Sequence, residues 1–272
     1  MIEVAKVSVD GLEIAYRECG EGRPVLLIHG WPTSSFLWRN VMPGIAAHRR
    51  VIAIDLPGFG DSSKPLDRSY SFRMYERVLD GFLDALSVDE LGLCVHDLGG
   101  PIGLYWASQN SARIERLALC NTLAYPELSW AAKAFLAATV TPGFRRALTS
   151  QWGLAQALRL GVSDRSRLPP DAIEGIQRPF QTAAARKALL AAGRGLSQDG
   201  LETIASWLPR VDVPVRIIYG ARDRILPDIR KTVDRLVRDL PQAEVSVFDD
   251  CGHFLQEERP AELGELLGQF FE

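Results

Sequence analysis

The chain has 272 residues, 47% of them hydrophobic and 24% charged, and a net charge of −3. That is enough material for an ample core, without the basic field that would hold a phosphate backbone, so nucleic acid is not an expected partner. No apolar stretch reaches the roughly 18 residues of a membrane span, the opening MIEVAKVSVDG lacks the features of a secretory signal, and Cys19, Cys94, Cys120 and Cys251 form no C-x-x-C pair. A cytoplasmic protein with reduced thiols and no membrane partner is expected.

In chain order, residues 7–9 and 12–17 flank Asp10-Gly11, a hairpin signal. Continuous apolar runs follow at 24–29 (PVLLIH), 51–54 (VIAI), 91–96 (LGLCVH), 116–120 (RLALC) and 213–219 (VPVRIIY), with a last strand at 244–248. Such runs suit parallel strands covered on both faces. Helical patterns lie between them at 75–86, 102–109, 229–240 and 261–270. A hairpin followed by β-α alternation predicts an α/β protein with a doubly wound, mostly parallel sheet.

The alternation breaks between residues 126 and 208, which are rich in Ala, Leu and Arg and punctuated at 139–143, 168–171 and 193–195. This stretch is expected to form a helical cap inserted into a core made of 1–125 and 209–272. It carries more Lys and Arg than Asp and Glu. Its excess charge reads either as a solvated helical surface or as a mildly cation-lined entrance favouring anionic ligands.

The chemistry-bearing signal starts where the run LGLCVH meets Asp97-Leu98-Gly99-Gly100-Pro101. A strand, an exposed reactive residue, small residues and a helix make up a nucleophile elbow. The residue at its tip is Asp97 rather than Ser. A carboxylate is ionised at neutral pH and needs no base before attack. It suits displacement at a saturated carbon, which leaves a covalent ester. The competing role for Asp97 is to cap the following helix.

A second motif, His29-Gly30-Trp31-Pro32-Thr33, follows the PVLLIH strand. Its glycine turn can aim a backbone N–H at the elbow, so the N–H groups of Trp31 and Leu98 are the candidate oxyanion hole. His29 and His96 read as structural: the first as a loop tether, the second as pointing to the strand face opposite the nucleophile.

The segments HGWPTSSFLWRNVMP, DLPGFGDSSKP and VHDLGGPIGL resemble the haloalkane dehalogenases. These are α/β-hydrolase-fold enzymes with an aspartate nucleophile and a helical cap. The resemblance covers roughly residues 10–125 and 210–272; the cap resembles no family. It implies an α/β-hydrolase fold, a small-molecule substrate, and neither metal nor organic cofactor.

The base expected in this fold lies in a loop after the last strand, where Asp249-Asp250-Cys251-Gly252-His253 stands. His253 is the candidate base, since imidazole accepts and returns a proton near pH 7. The orienting acid should follow the preceding strand, and Asp223 fits. The other location used for this acid, after the strand that succeeds the elbow helix, reads Leu119-Cys120-Asn121-Thr122 and holds no carboxylate. Asp249 and Asp250 read as solvated loop charges.

Two positions depart from the family. The residue after the nucleophile is usually Trp, whose indole binds the departing halide, and the residue after His-Gly is often Asn. Here they are Leu98 and Trp31. Trp31, with Trp130, Trp152 or Trp207, is the candidate replacement donor set; the alternative for each is apolar packing. Epoxide hydrolases use the same triad with cap tyrosines, for which Tyr125 is the one candidate. A non-hydrolytic enzyme or a small-molecule binding protein is the third reading. The substrate pocket is expected between Trp31, Leu98, Phe135, Leu136, Phe144 and Trp152, while Phe36, Leu37 and Trp38 are expected to pack the helix that follows the oxyanion loop. Nothing in the sequence speaks to oligomeric state.

Overall fold

Asp10 and Gly11 both adopt positive φ, 51° and 74°, as a two-residue hairpin turn requires. They fold β1 (Val4–Val9) back on β2 (Leu12–Cys19), with Val9 paired to Leu12. The computed structural model describes residues 2–272. Six more strands complete one sheet: β3 (Pro24–Ile28), β4 (Arg50–Ile54), β5 (Leu91–Asp97), β6 (Ile114–Thr122), β7 (Val215–Gly220) and β8 (Glu244–Phe248). Their order is β1-β2-β4-β3-β5-β6-β7-β8. The pairs β1/β2 and β2/β4 are antiparallel, and all others are parallel.

The apolar runs are buried because both sheet faces are covered. Leu26, Ile28, Leu93 and Val95 pack into one cluster with the helices Phe72–Ala85, Gly99–Gln109 and Ile229–Asp239. Val25, Leu27, Cys94 and Ala118 face the other way, against Met42–Ala46 and Pro260–Phe271. The period-2 alternation of strand side chains accounts for this division. The helix expected at 75–86 begins earlier, because the Ser71 hydroxyl accepts the Met74 N–H at 3.3 Å and caps it. β7 begins at Val215 rather than 213, after Pro214, which has no N–H for a ladder.

The chain leaves β3 toward β4 and later returns to pair β5 on the other side of β3. This reversal is a topological switch point, and open α/β sheets bind ligands in a crevice at such a place, here the carboxyl ends of β3 and β5. The register Ile28↔Val95 sets the loop after β3 beside Asp97.

Between β6 and β7 the chain forms six α-helices: Trp130–Val140, Pro142–Leu148, Gln151–Gly161, Pro170–Gln177, Ala183–Ala192 and Gln198–Trp207. Ser129, Ser150 and Thr182 cap three of them, accepting the N–H groups of Ala132, Gly153 and Ala185 at 3.1, 3.0 and 3.1 Å. This insertion is stitched to the rest of the chain by partly buried polar contacts. Arg39 grips Glu257 through two N–H···O bonds of 2.7 and 3.0 Å and donates to Asp171 of the insertion at 3.0 Å. Asp250, expected to be a solvated loop charge, instead accepts from Arg167 at 2.7 Å and Arg259 at 2.6 Å. Both guanidiniums hold its carboxyl far below the usual carboxylate range. The insertion folds Arg167 back over this loop, which spacing alone does not reveal.

Candidate active site

Asp97 ends β5 with φ of 51°, in the left-handed region. Asp tolerates this region better than most residues, and the turn lifts its side chain out of the sheet into the crevice. Its neighbours must be small. A Cβ on Gly30 would collide with the Asp97 carboxylate, and one on Gly99 with the His29 carbonyl. The Thr122 hydroxyl donates to the Asp97 carbonyl at 2.7 Å and pins the turn from β6.

Gly30 lets the next residue reach the elbow: the Trp31 N–H donates to Asp97 Oδ1 at 2.7 Å. The Leu98 N–H acts on the same carboxylate. Of the two N–H groups named from the sequence, the Trp31 N–H is the one hydrogen-bonded to Asp97.

His253 is fully buried. Its Nδ1 lies 2.8 Å from Asp223 Oδ2 and its Nε2 3.4 Å from Asp97 Oδ2. Its backbone is held on both sides: the N–H donates to the Gly161 carbonyl at 2.6 Å, and the carbonyl accepts from His96 Nε2 at 3.0 Å. Burial and the neighbouring His253 charge push His96 down to about 3, so it stays neutral and carries its proton on Nε2. His29 is the loop tether expected. Its Nε2 accepts the Leu56 N–H at 3.1 Å, and its Nδ1 donates to the Gly30 carbonyl at 2.9 Å.

Asp223 is fixed by the N–H groups of Ile225 and Leu226, each 2.8 Å from Oδ1. The Asn121 side-chain amide donates to its Oδ2 at 2.6 Å, while Asn121 Oδ1 accepts the Gly220 N–H at 3.0 Å. Asn121 is the residue that sequence reasoning missed. In the sequence it stands out only as a place without a carboxylate. The available signal was a polar residue ending a buried strand next to β7, where a partner was needed.

Burial alone would favour the neutral forms of all three groups. The ion pairs outweigh it. Burial lowers His253, but the carboxylates of Asp223 and Asp97 raise it from 6.5 to about 10. Asp97 and Asp223 are held below the ordinary carboxylate value by the same histidine, against burial. The resting site is carboxylate, imidazolium, carboxylate.

The chain matches the α/β hydrolase fold family over residues 23–260. It belongs to the α/β-hydrolase family. A haloalkane dehalogenase of Agrobacterium fabrum is 33% identical across 94% of this chain and 88% of its own length. An uncharacterised hydrolase of Bacillus subtilis is 31% identical across 98% and 97%. The crystal structure of the haloalkane dehalogenase DatA from Agrobacterium tumefaciens C58 superposes with a TM-score of 0.85 at 29% identity, over 99% of this chain and 96% of that one. The family, the fold and a haloalkane dehalogenase-like hydrolase are thus as the sequence motifs implied.

Around the triad, this α/β hydrolase departs from several expectations. The Trp31 indole N–H is engaged: it donates to the Leu189 carbonyl of the insertion at 3.2 Å. The indole packs edge-on to Phe135, 4.8 Å between centroids. Phe135 is therefore at the site, half-buried Leu98 packs against the core cluster, and Leu136 is half-buried on the Phe135 helix. Phe144 and Trp152 are not pocket walls. They are 66% and 68% exposed. Helix Gln151–Gly161 buries Gly153, Leu154, Ala155 and Leu158, and Trp152 lies off that face. Trp130 is also exposed and Trp207 is buried in the core cluster, which leaves each as packing or surface. Tyr125 is engaged elsewhere. Its hydroxyl donates to Asp239 at 2.8 Å, and the Arg235 guanidinium sits 3.8 Å over its ring. Among the described residues no group of three or more His, Cys, Asp or Glu is arranged to hold a metal ion, and no helix is long and apolar enough to cross a membrane.

Proposed function

We propose that this α/β hydrolase displaces a leaving group from a saturated carbon of a small apolar substrate, in the cytoplasm, through an ester on Asp97. Residues 126–208 act as a cap over the crevice and 1–125 with 209–272 as the core. The observation that carries the reading is the elbow carboxylate itself, flanked by the Trp31 N–H at 2.7 Å and His253 Nε2 at 3.4 Å.

Asp97 attacks the carbon in line, the leaving group departs with the bonding pair, and an alkyl ester remains. In the resting site His253 is an imidazolium and is no base. Esterification removes the Asp97 charge, one of the two charges that hold the proton on His253. The imidazolium then becomes more acidic and releases its proton to water, and the neutral imidazole takes a proton from the water that attacks the ester carbonyl. Collapse of the intermediate breaks the ester bond, the alkoxide leaves with that proton as the alcohol, and the Asp97 carboxylate is regenerated. The charge on the tetrahedral intermediate falls on the oxygen that the Trp31 N–H meets, with the Leu98 N–H as the second donor, and Asp223 steadies the imidazolium that returns. The base is thus available only after the nucleophile has reacted.

Epoxide opening is the weaker reading, since it needs a donor for the ring oxygen and the Tyr125 hydroxyl is committed to Asp239. Pure binding gives no reason for a buried histidine between two carboxylates.

The test is intact-protein and peptide mass spectrometry of His253→Phe, incubated separately with haloalkanes, epoxides and esters. Without the base the second step stops. An alkyl adduct on the Asp97 peptide is expected from a haloalkane. A hydroxyalkyl adduct from an epoxide would replace this assignment with ring opening. Folded protein with no adduct from any substrate would overturn the mechanism.

A further inference from the structure

Five of the nine large apolar side chains that stand exposed among the described residues fall within residues 130–160. They are Trp130, Val140, Phe144, Trp152 and Leu160, at 71, 57, 66, 68 and 47%. Helix Trp130–Val140 turns Trp130, Lys133, Ala134, Ala137 and Val140 to solvent. These positions share one face, and Lys133 is its single charge. The next helix, Pro142–Leu148, packs on the first and on Gln151–Gly161, and its Phe144, Arg145 and Arg146 are all exposed. Helices in water normally turn a polar face outward, and clustered exposed apolar groups mark a docking surface.

The charge of this surface selects the occupant. Residues 128–163 contain no Asp or Glu, while Lys133, Arg145, Arg146 and Arg159 lie within them. The chain as a whole is acidic, so the net positive charge of this segment is a local feature. A second copy docked cap to cap would set these cations against each other with no carboxylate to pair them. A bilayer with anionic headgroups satisfies both properties. Aromatic side chains settle at the headgroup level, aliphatic ones below it, and Lys and Arg meet the phosphates.

We propose that the outer face of the helices Trp130–Val140, Pro142–Leu148 and Gln151–Gly161 is a peripheral binding surface for anionic lipid bilayers. Trp130, Phe144 and Trp152 enter the interface, and Lys133, Arg145 and Arg146 contact headgroups. The expectation of no membrane partner rested on the lack of a spanning helix, and adsorption needs none. The inference is independent of the chemistry assigned to Asp97.

Co-sedimentation of the full chain with vesicles of phosphatidylglycerol and phosphatidylcholine, against phosphatidylcholine alone, tests it. Binding to the anionic vesicles that weakens with salt is expected. Phe144→Ser/Trp152→Ser and Arg145→Glu/Arg146→Glu should each lower the partition coefficient by on the order of tenfold. Circular dichroism checks that both variants are folded. No anionic binding, or binding that both variants retain, overturns the proposal. So does sedimentation velocity showing a dimer that these substitutions dissolve, which would make the surface a self-association face.

Discussion

Glu258 accepts the N–H of Gly252, the residue before His253, the proposed base, at 2.6 Å. Its other oxygen accepts the N–H groups of Ser163 and Asp164 in the insertion, at 2.9 and 3.0 Å. One carboxylate, 5% exposed, therefore joins the histidine loop to the insertion. Glu258→Gln keeps the shape but replaces one acceptor with a donor. It should lower stability by about 1–3 kcal/mol and reduce kcat more than it changes KM. Thermal melts and steady-state kinetics check both; an unchanged kcat would confine Glu258 to stability.

Asn121 bridges Asp223 and the Gly220 N–H. Asn121→Leu leaves that buried N–H without an acceptor, and should cost about 1–3 kcal/mol. Because Asp223 would be less well fixed, kcat should fall as well. Chemical denaturation and kinetics of the variant are the measurements.

The raised His253 value sets a pH window. Its folded-state pKa lies above its unfolded one, 10 against 6.5. The stability it contributes is fully present below about 6.5 and is lost as pH rises through about 10. Asp97 and Asp223 are lowered, so their contribution is present above the ordinary carboxylate value and fades as pH falls through their folded values. Melting temperature should decline from pH 7 to 10 in the wild type and less steeply in His253→Phe.

Leu98 has no side-chain donor and the Trp31 indole is bound to Leu189, so the departing group receives little help from them. For one alkyl chain, the rate of ester formation should fall from iodide to bromide to chloride. Leu98→Trp should raise the rate for chloride more than for iodide. Rapid-quench kinetics of the alkylation step would show it; equal gains for the two halides would refute the role assigned to position 98.

The strands were readable because buried parallel strands are continuous apolar runs, and the site because the elbow, the His-Gly turn and the histidine loop are short local patterns. Asp97, His253, Asp223 and the Trp31 N–H lie within hydrogen-bonding or ion-pair distance of one another in a chain. What the sequence hid was settled by contacts between distant segments. Nothing near Asn121 announces that its amide meets Asp223. The count of aromatics in the insertion did not say that Phe135 would cover Trp31 while Phe144 and Trp152 face water. Asp250 read as a free charge only because Arg167 is so far away in the chain.

The His253 N–H is satisfied by the carbonyl of Gly161, at the end of an insertion helix. The proposed base is thus moored partly by the insertion. An insertion exchanged for that of another hydrolase, to change substrate range, would carry away this acceptor along with the partners of Glu258. Recombination of such enzymes should therefore succeed at junctions that keep Gly161 through Asp164 with the histidine loop, and not at the ends of β6 and β7 alone.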